Sequence, residues 1–195
     1  MVTVILLAAA PGAGKTSACQ RTLALAREAG MRVGGVLAPA YDAPEGHKQG
    51  IEAQDVLTGE YRLLAQLVPQ ARATVGRYRF DPEALAWALE RVQLALRAPI
   101  DLVLIDEIGP LELERNAGLA PALVELPQAE ACVALLCVRA ELLSRLEERL
   151  RPLAPRVVML TLANRDQLPE RLCEEIWGPV AQRWAANTAS SLWTR

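Results

Sequence analysis

Short apolar runs alternating with stretches of helical period set the layout of this chain. Residues 2–8 are almost wholly aliphatic and end in a Gly/Pro-rich bend, which predicts a strand buried on both faces of a parallel sheet. Residues 15–29 have the spacing of a helix, with Gly30 as its stop. A second strand is expected over 32–37, followed by a loop over 38–46 that holds Pro39 and Pro44. Residues 48–56 and 60–65 flank Leu57-Thr58-Gly59 and predict an antiparallel hairpin. Residues 66–76 carry no clear period, and 77–80 form a short strand candidate. Asp81-Pro82-Glu83 reads as a helix start, and Leu85, Leu89, Val92 and Leu96 mark that helix's core face. Residues 100–105 form an interior strand that ends at Asp106-Glu107. A helix over 112–126 is expected to be interrupted at Pro121. Then come a strand over 131–138, a helix over 140–151 ended by Pro152, a strand over 156–162 and a helix over 169–177. Gly178-Pro179 is expected to break that last helix. The pattern gives one α/β domain over 1–177, a mostly parallel sheet flanked by helices with an antiparallel hairpin inserted, and a tail over 178–195 carrying Trp184 and Trp193.

Composition narrows the partners. The 195 residues are 52% hydrophobic and 23% charged, enough for a full core and incompatible with disorder. With 21 basic residues against 23 acidic, the net charge of −2 gives no electrostatic case for nucleic acid or an anionic membrane as main partner. The apolar start is too short to span a bilayer and lacks a basic flank, so a cytoplasmic protein is expected. Cys19, Cys132, Cys137 and Cys173 show no metal-ligand spacing and read as reduced, buried thiols. The only lysines are Lys15 and Lys48, and an isolated lysine in an arginine-rich chain marks a position that uses a compact ammonium.

Lys15 stands in Ala9-Ala10-Pro11-Gly12-Ala13-Gly14-Lys15-Thr16, between the first strand and the first helix. This matches the phosphate-loop pattern GxxxxGK[ST] except that Ala9 takes the leading glycine position. Gly12 and Gly14 let the backbone approach a phosphate, whose charge the loop amides and the helix N-terminus stabilise. Lys15 would reach the β- and γ-oxygens, and the Thr16 hydroxyl would ligate Mg²⁺. Asp106, at the carboxyl end of its strand, would hold the same Mg²⁺. By strand alternation Glu107 points to the other side, where it can orient or deprotonate a water in line with the γ-phosphate.

These segments carry a family resemblance. Ala-Pro-Gly-Ala-Gly-Lys-Thr at 10–16, Ile-Asp-Glu-Ile-Gly-Pro-Leu-Glu-Leu at 105–113 and Thr-Leu-Ala-Asn-Arg-Asp-Gln-Leu-Pro at 161–169 resemble the small P-loop nucleoside-triphosphatase family of thermophilic bacteria and archaea, which has a human cancer-related relative. Fainter echoes lie in Gly34-Gly35-Val36, in Asp55 to Gly59 and in Val75 to Tyr78. The resemblance covers residues 3–177. It implies a RecA-like P-loop fold and slow, Mg²⁺-dependent hydrolysis of ATP, GTP and other NTPs to NDP and phosphate. It places nucleotide contacts on Ala9, Ala10, Pro11, Gly12, Ala13, Gly14, Lys15, Thr16 and Ser17, and on Leu102, Val103, Leu104, Ile105, Asp106, Glu107, Ile108 and Gly109. Ala9, Ser17 in place of a second threonine, and the tail depart from the family pattern.

Three further side chains are candidates for phosphate or base contacts. Arg139 and Arg165 follow strands and could meet the γ-phosphate, and Asn164 with Arg165 could lie near the base. Two other functions fit parts of the pattern. A P-loop nucleoside or nucleotide kinase would need an acceptor-activating carboxylate, such as Asp42, and an arginine lid. Arg145, Arg149 and Arg151 recur with Glu141 and Glu147 at helical spacing and read as surface pairs instead. A GTPase-like switch would use the D-x-x-G of Asp106 to Gly109, but Asn164-Arg165-Asp166-Gln167 fails the N-K-x-D base-reading pattern.

Overall fold

The computed structural model describes residues 1–42 and 47–192. Its strands are β1 (Thr3–Ala9), β2 (Val33–Leu37), β3 (Ala40–Asp42), β4 (Lys48–Asp55), β5 (Tyr61–Leu67), β6 (Tyr78–Phe80), β7 (Leu102–Ile108), β8 (Val133–Arg139) and β9 (Arg156–Met159). Its helices are α1 (Lys15–Glu28), α2 (Pro82–Arg97), α3 (Pro110–Leu113), α4 (Ala120–Glu125), α5 (Leu143–Leu150) and α6 (Leu168–Leu192). The strands form one sheet in the order β6-β5-β4-β2-β7-β8-β1-β9, with β3 beside β4. From β2 to β9 neighbouring strands run parallel, while β4, β5 and β6 extend the sheet antiparallel.

The parallel strands are apolar on both faces because both are covered. Ile5, Leu7, Leu102, Leu104 and Leu135 pack under α1 and α6. Val4, Leu6, Val103, Ile105 and Leu136 point the other way, with Trp87, Ala88 and Val92 of α2, Leu123 of α4 and Leu146 of α5. Successive side chains on a strand alternate faces, so one continuous apolar run supplies two cores. Strand β8 lies between β1 and β7, separating the phosphate-loop strand from the acidic strand by one ladder.

Several expected boundaries move, each for a tertiary reason. Part of the expected 38–46 loop is β3: Ala40 and Tyr41 pair with Ile51 and Gly50, and Pro39 gives its carbonyl to the Glu52 N–H at 2.9 Å. The chain thus continues beside β4 past a proline that interrupts β2; residues 43–46 lie outside the described residues. Pro121 begins α4 rather than interrupting a helix, since a first-turn position needs no N–H from it. The break falls earlier, at Asn116 (φ 50) and Gly118 (φ 58). The strand expected over 156–162 ends at Met159.

The largest change is α6. It passes through Gly178-Pro179 and runs 25 residues, about 37 Å at helical rise. Packing outweighs the proline. Val180 is buried, and the Trp177 and Trp184 rings meet edge-to-face with centroids 5.3 Å apart. Arg183 donates to the Ile100 and Glu130 carbonyls, and the Trp184 indole N–H donates to Asp101 at 3.0 Å. Those partners lie just before β7 and β8, so α6 crosses from the carboxyl edge of the sheet to its amino edge. Asp101, fully buried, also receives Arg32, and these donors hold its carboxyl below the usual range against the cost of burial. Trp193 lies outside the described residues. Among the described residues no helix is long and apolar enough to cross a membrane.

Candidate active site

The bend after β1 is open and anion-shaped. Gly12 and Gly14 have φ of 75° and 95°, a left-handed geometry that favours glycine, and nothing lies within 4 Å of where a Cβ would stand on either. Gly14 caps α1, its carbonyl accepts the Ala18 N–H at 2.9 Å, and Lys15 and Thr16 open the first turn. Ala9, by contrast, is still buried β1 strand with no positive φ, so a methyl group is accommodated where the motif ordinarily has glycine. Ser17 is exposed on the outer side of the turn.

Across the sheet, Asp106 is 2% exposed and its Oδ2 accepts the Ala38 N–H at 3.1 Å. The Thr16 side chain lies near enough to this carboxyl to oppose its upward shift, so the first turn of α1 reaches the acidic strand end. Burial pushes the Asp106 carboxyl up to about 6; the Ala38 N–H opposes the shift and the neighbouring Glu107 charge adds to it. Asp106 has no ion-pair partner among the described residues. A hydroxyl and a carboxylate, both hard oxygen donors, with an unbalanced buried charge, fit a small divalent cation such as Mg²⁺.

The sign of the Asp106 shift yields a stability test. The native protein keeps this proton where an unfolded carboxyl, with its ordinary value of 3.8, has lost it. Its contribution to stability therefore falls as pH rises from about 4 to about 6, and stays reduced above that. Metal-free Asp106→Asn is expected to melt above wild type at pH 8, with the gap closing toward pH 4. Thermal melts in EDTA at both pH values measure this; an equal gap at both would contradict it.

Glu107 differs from the expected geometry. The β7–β8 register shifts between Ile105 and Ile108, and Glu107 has φ 70°. A bulge therefore aims this side chain, not regular strand alternation. A left-handed non-glycine residue costs on the order of 1–2 kcal/mol, strain of the kind that collects at functional sites. The Glu107 carboxylate is 31% exposed and takes Arg139 Nη2 at 3.0 Å. Arg139 pairs in register with Ala9, so the partner of Glu107 is carried on the strand next to the one that enters the phosphate loop.

The other arginines and Asn164 fall elsewhere. Asn164 uses both ends of its amide inside its own loop, accepting the Thr161 N–H at 2.8 Å and donating to the Met159 carbonyl at 2.9 Å. Arg165 is exposed beside a cleft of about 470 Å³ that it shares with Gly14, Ser17 and Ala18. Arg145 pairs with Glu114, Arg149 with Asn116 and the Glu112 carbonyl, and Arg151 with Glu148, rather than with Glu141 and Glu147. None of the three forms a lid. Asp42 is exposed on β3 and does not line the space in front of Glu107.

Sequence reasoning missed two supports of the site. Glu112 is buried, its carboxyl pushed up by burial, and its oxygens accept the Gly109 and Leu119 N–H groups; this clamps the chain after Glu107. A Gly-Pro helix start followed by Glu112 at the third helical position, a capping-box pattern, was the available signal. The Cys19 and Cys137 sulfurs lie 3.1 Å apart below Asp106. Their mutual contact and burial hold the Cys137 thiol well above its usual range, so it meets Asp106 as a neutral group.

A family model described as NTPase matches residues 4–173. The chain belongs to this NTPase family. Curated members similar to it include nucleoside-triphosphatase THEP1 of Thermofilum pendens, 33% identical over 178 residues, covering 91% of this chain and 97% of that protein. The THEP1 of Methanopyrus kandleri is 32% identical over 174 residues, covering 88% and 94%. Among solved structures, a human cancer-related nucleoside triphosphatase superposes with TM-score 0.70 at 22% identity, over 90% of this chain and 97% of that one. THEP1 from Aquifex aeolicus gives 0.61 at 22%, over 89% and 99%. The chain thus has the P-loop NTPase fold of the family, with a mostly parallel sheet flanked by helices.

Proposed function

We propose that this protein is a cytoplasmic, Mg²⁺-dependent nucleoside-triphosphatase. It hydrolyses ATP, GTP and other NTPs to NDP and phosphate, slowly and with little regard for the base. The observation that carries this reading is the parallel β1–β8–β7 ladder, which sets the anion-binding bend after Ala9 and the acidic strand end at Asp106 on the same carboxyl edge of the sheet, one strand apart. The names of the relatives above support it as well.

The roles follow from the chemistry of each group. The amides of residues 10–16 and the Lys15 ammonium stabilise charge on the β- and γ-phosphates. Bound Mg²⁺, held through Thr16 and Asp106, supplies electrostatic neutralisation of the triphosphate. Glu107 orients the attacking water and accepts its proton. Arg139, paired with Glu107 at the end of β8, is the candidate for a further contact on the γ-phosphate. The residues of β7 position this edge from beneath. The exposed Arg165 beside Gly14 and Ser17 is the candidate for contacts on the nucleoside side, whereas Asn164 serves its own loop.

Phosphate release from ATP, GTP, CTP and UTP, with Mg²⁺ and with EDTA, tests the reading. Release from all four that stops in EDTA is the expected result. Release only on addition of a nucleoside would favour the kinase, and GTP-only turnover with retained GDP would favour the switch.

A further inference from the structure

In front of Glu107 lies a cavity of about 490 Å³ that the hydrolytic reaction does not need. A single attacking water takes up about 30 Å³, while pockets for organic ligands run from roughly 300 to 1,000 Å³. The cavity is walled by Val36, Ile51, Leu64, Tyr78, Phe80 and Leu85, an apolar surface that water wets poorly. The antiparallel extension and the Val75–Tyr78 turn close one side, and α2 and the chain after Glu107 close the other. No residue of the 9–17 phosphate loop lines it, and Asp106, Glu107 and Arg139 form its inner end.

Charge at the cavity is sorted. Glu107 is matched by Arg139, Glu112 by two backbone N–H groups, and Glu114 by Arg145, while Asp106, buried at the inner end, takes the Ala38 N–H and has no ion pair among the described residues, so an anionic group is favoured only at the outer, arginine end. Arg77 and Arg115 are exposed on the lining, and neither has a carboxylate partner among the described residues. An apolar interior with two unmatched guanidiniums suits a ligand with an apolar body and an anionic end.

We propose that this cavity is a second ligand site, for a small organic anion with a flat or branched apolar body, and that the bound ligand stands against Glu107 in place of the attacking water. The effect on turnover rests on the reading of Glu107 given above. The binding itself does not.

The probe is 8-anilinonaphthalene-1-sulfonate, whose fused rings and single sulfonate match this chemistry. Fluorescence titration of the nucleotide-free full chain is expected to show one saturable site. The exposed double variant Arg77→Glu/Arg115→Glu should weaken that site at least tenfold, while its melting temperature and its phosphate release without probe stay as in wild type. Saturating probe should lower wild-type phosphate release about tenfold and leave nucleotide binding intact. Equal probe affinity in the double variant and wild type would overturn the proposal. So would full phosphate release with the site saturated. The titration uses no nucleotide, so a protein that failed to hydrolyse NTPs would still report on the cavity.

Discussion

Glu107→Gln is expected to bind nucleoside triphosphate as tightly as wild type, or more tightly, and to release phosphate roughly 10² to 10⁴ times more slowly. Glutamine keeps the length and an acceptor oxygen for Arg139, so the bulge and the ion-pair geometry survive with one charge removed. What disappears is the ability to take a proton from water. Loss of the carboxylate also leaves Arg139, at the end of the strand next to β1, without its anion, which favours rather than opposes an incoming triphosphate. Single-turnover phosphate release and equilibrium binding of a non-hydrolysable analogue separate the two effects. Wild-type turnover in the variant would remove Glu107 from the mechanism. A matched loss of binding and turnover would make it a structural residue.

Gly35→Ala is expected to destabilise the protein by more than about 4 kcal/mol, a large part of the roughly 5–15 kcal/mol that holds a domain together. Gly35 has φ 100°, and a Cβ built on it would stand 2.0 Å from the Leu104 carbonyl oxygen. That oxygen belongs to β7, and it cannot retreat without opening the β2–β7 ladder on which Asp106 is mounted. The Gly35 carbonyl also accepts the Val56 N–H at 2.9 Å, so the residue is held from the hairpin side too. Gly34→Ala is the control. Its new methyl would meet the Ile100 Cδ1, the far end of a side chain that can turn away, at 2.9 Å, and the Ala95 Cβ, which moves only with α2, at 3.1 Å, a milder contact than the 2.0 Å to backbone at Gly35. Denaturant unfolding should rank Gly34→Ala well above Gly35→Ala; equal midpoints would sink the steric account.

How much of this was legible in the sequence depends on how local the cause was. The phosphate loop was legible because its signals, two glycines, a lysine and a threonine between a strand and a helix, all fall within one turn. The α/β class was legible because β1, β7 and β8 carry apolar runs long enough to serve both faces. Asp106 stood out as a charge at the end of such a run. Long-range effects were not legible. Pro179 reads as a breaker until Asp101 and the Glu130 carbonyl, distant in sequence, anchor the turns beyond it. The bulge that aims Glu107 appears only when β7 is set against β8. Asn164 reads as a base contact until its amide is seen to close its own loop. The cavity is made by seven separated segments, from Val36 to Arg139, and has no local sequence signature.

The course of α6 has a practical consequence. This helix leaves the carboxyl edge of the sheet near Leu168 and is pinned by Arg183 and Trp184 at the opposite edge, where Thr3 also enters the sheet beside Cys132. A tether placed beyond Leu192 or ahead of Met1 would therefore hold the molecule by its rear pole. Immobilised or fused in either way, the protein would present the proposed nucleotide site to bulk solvent.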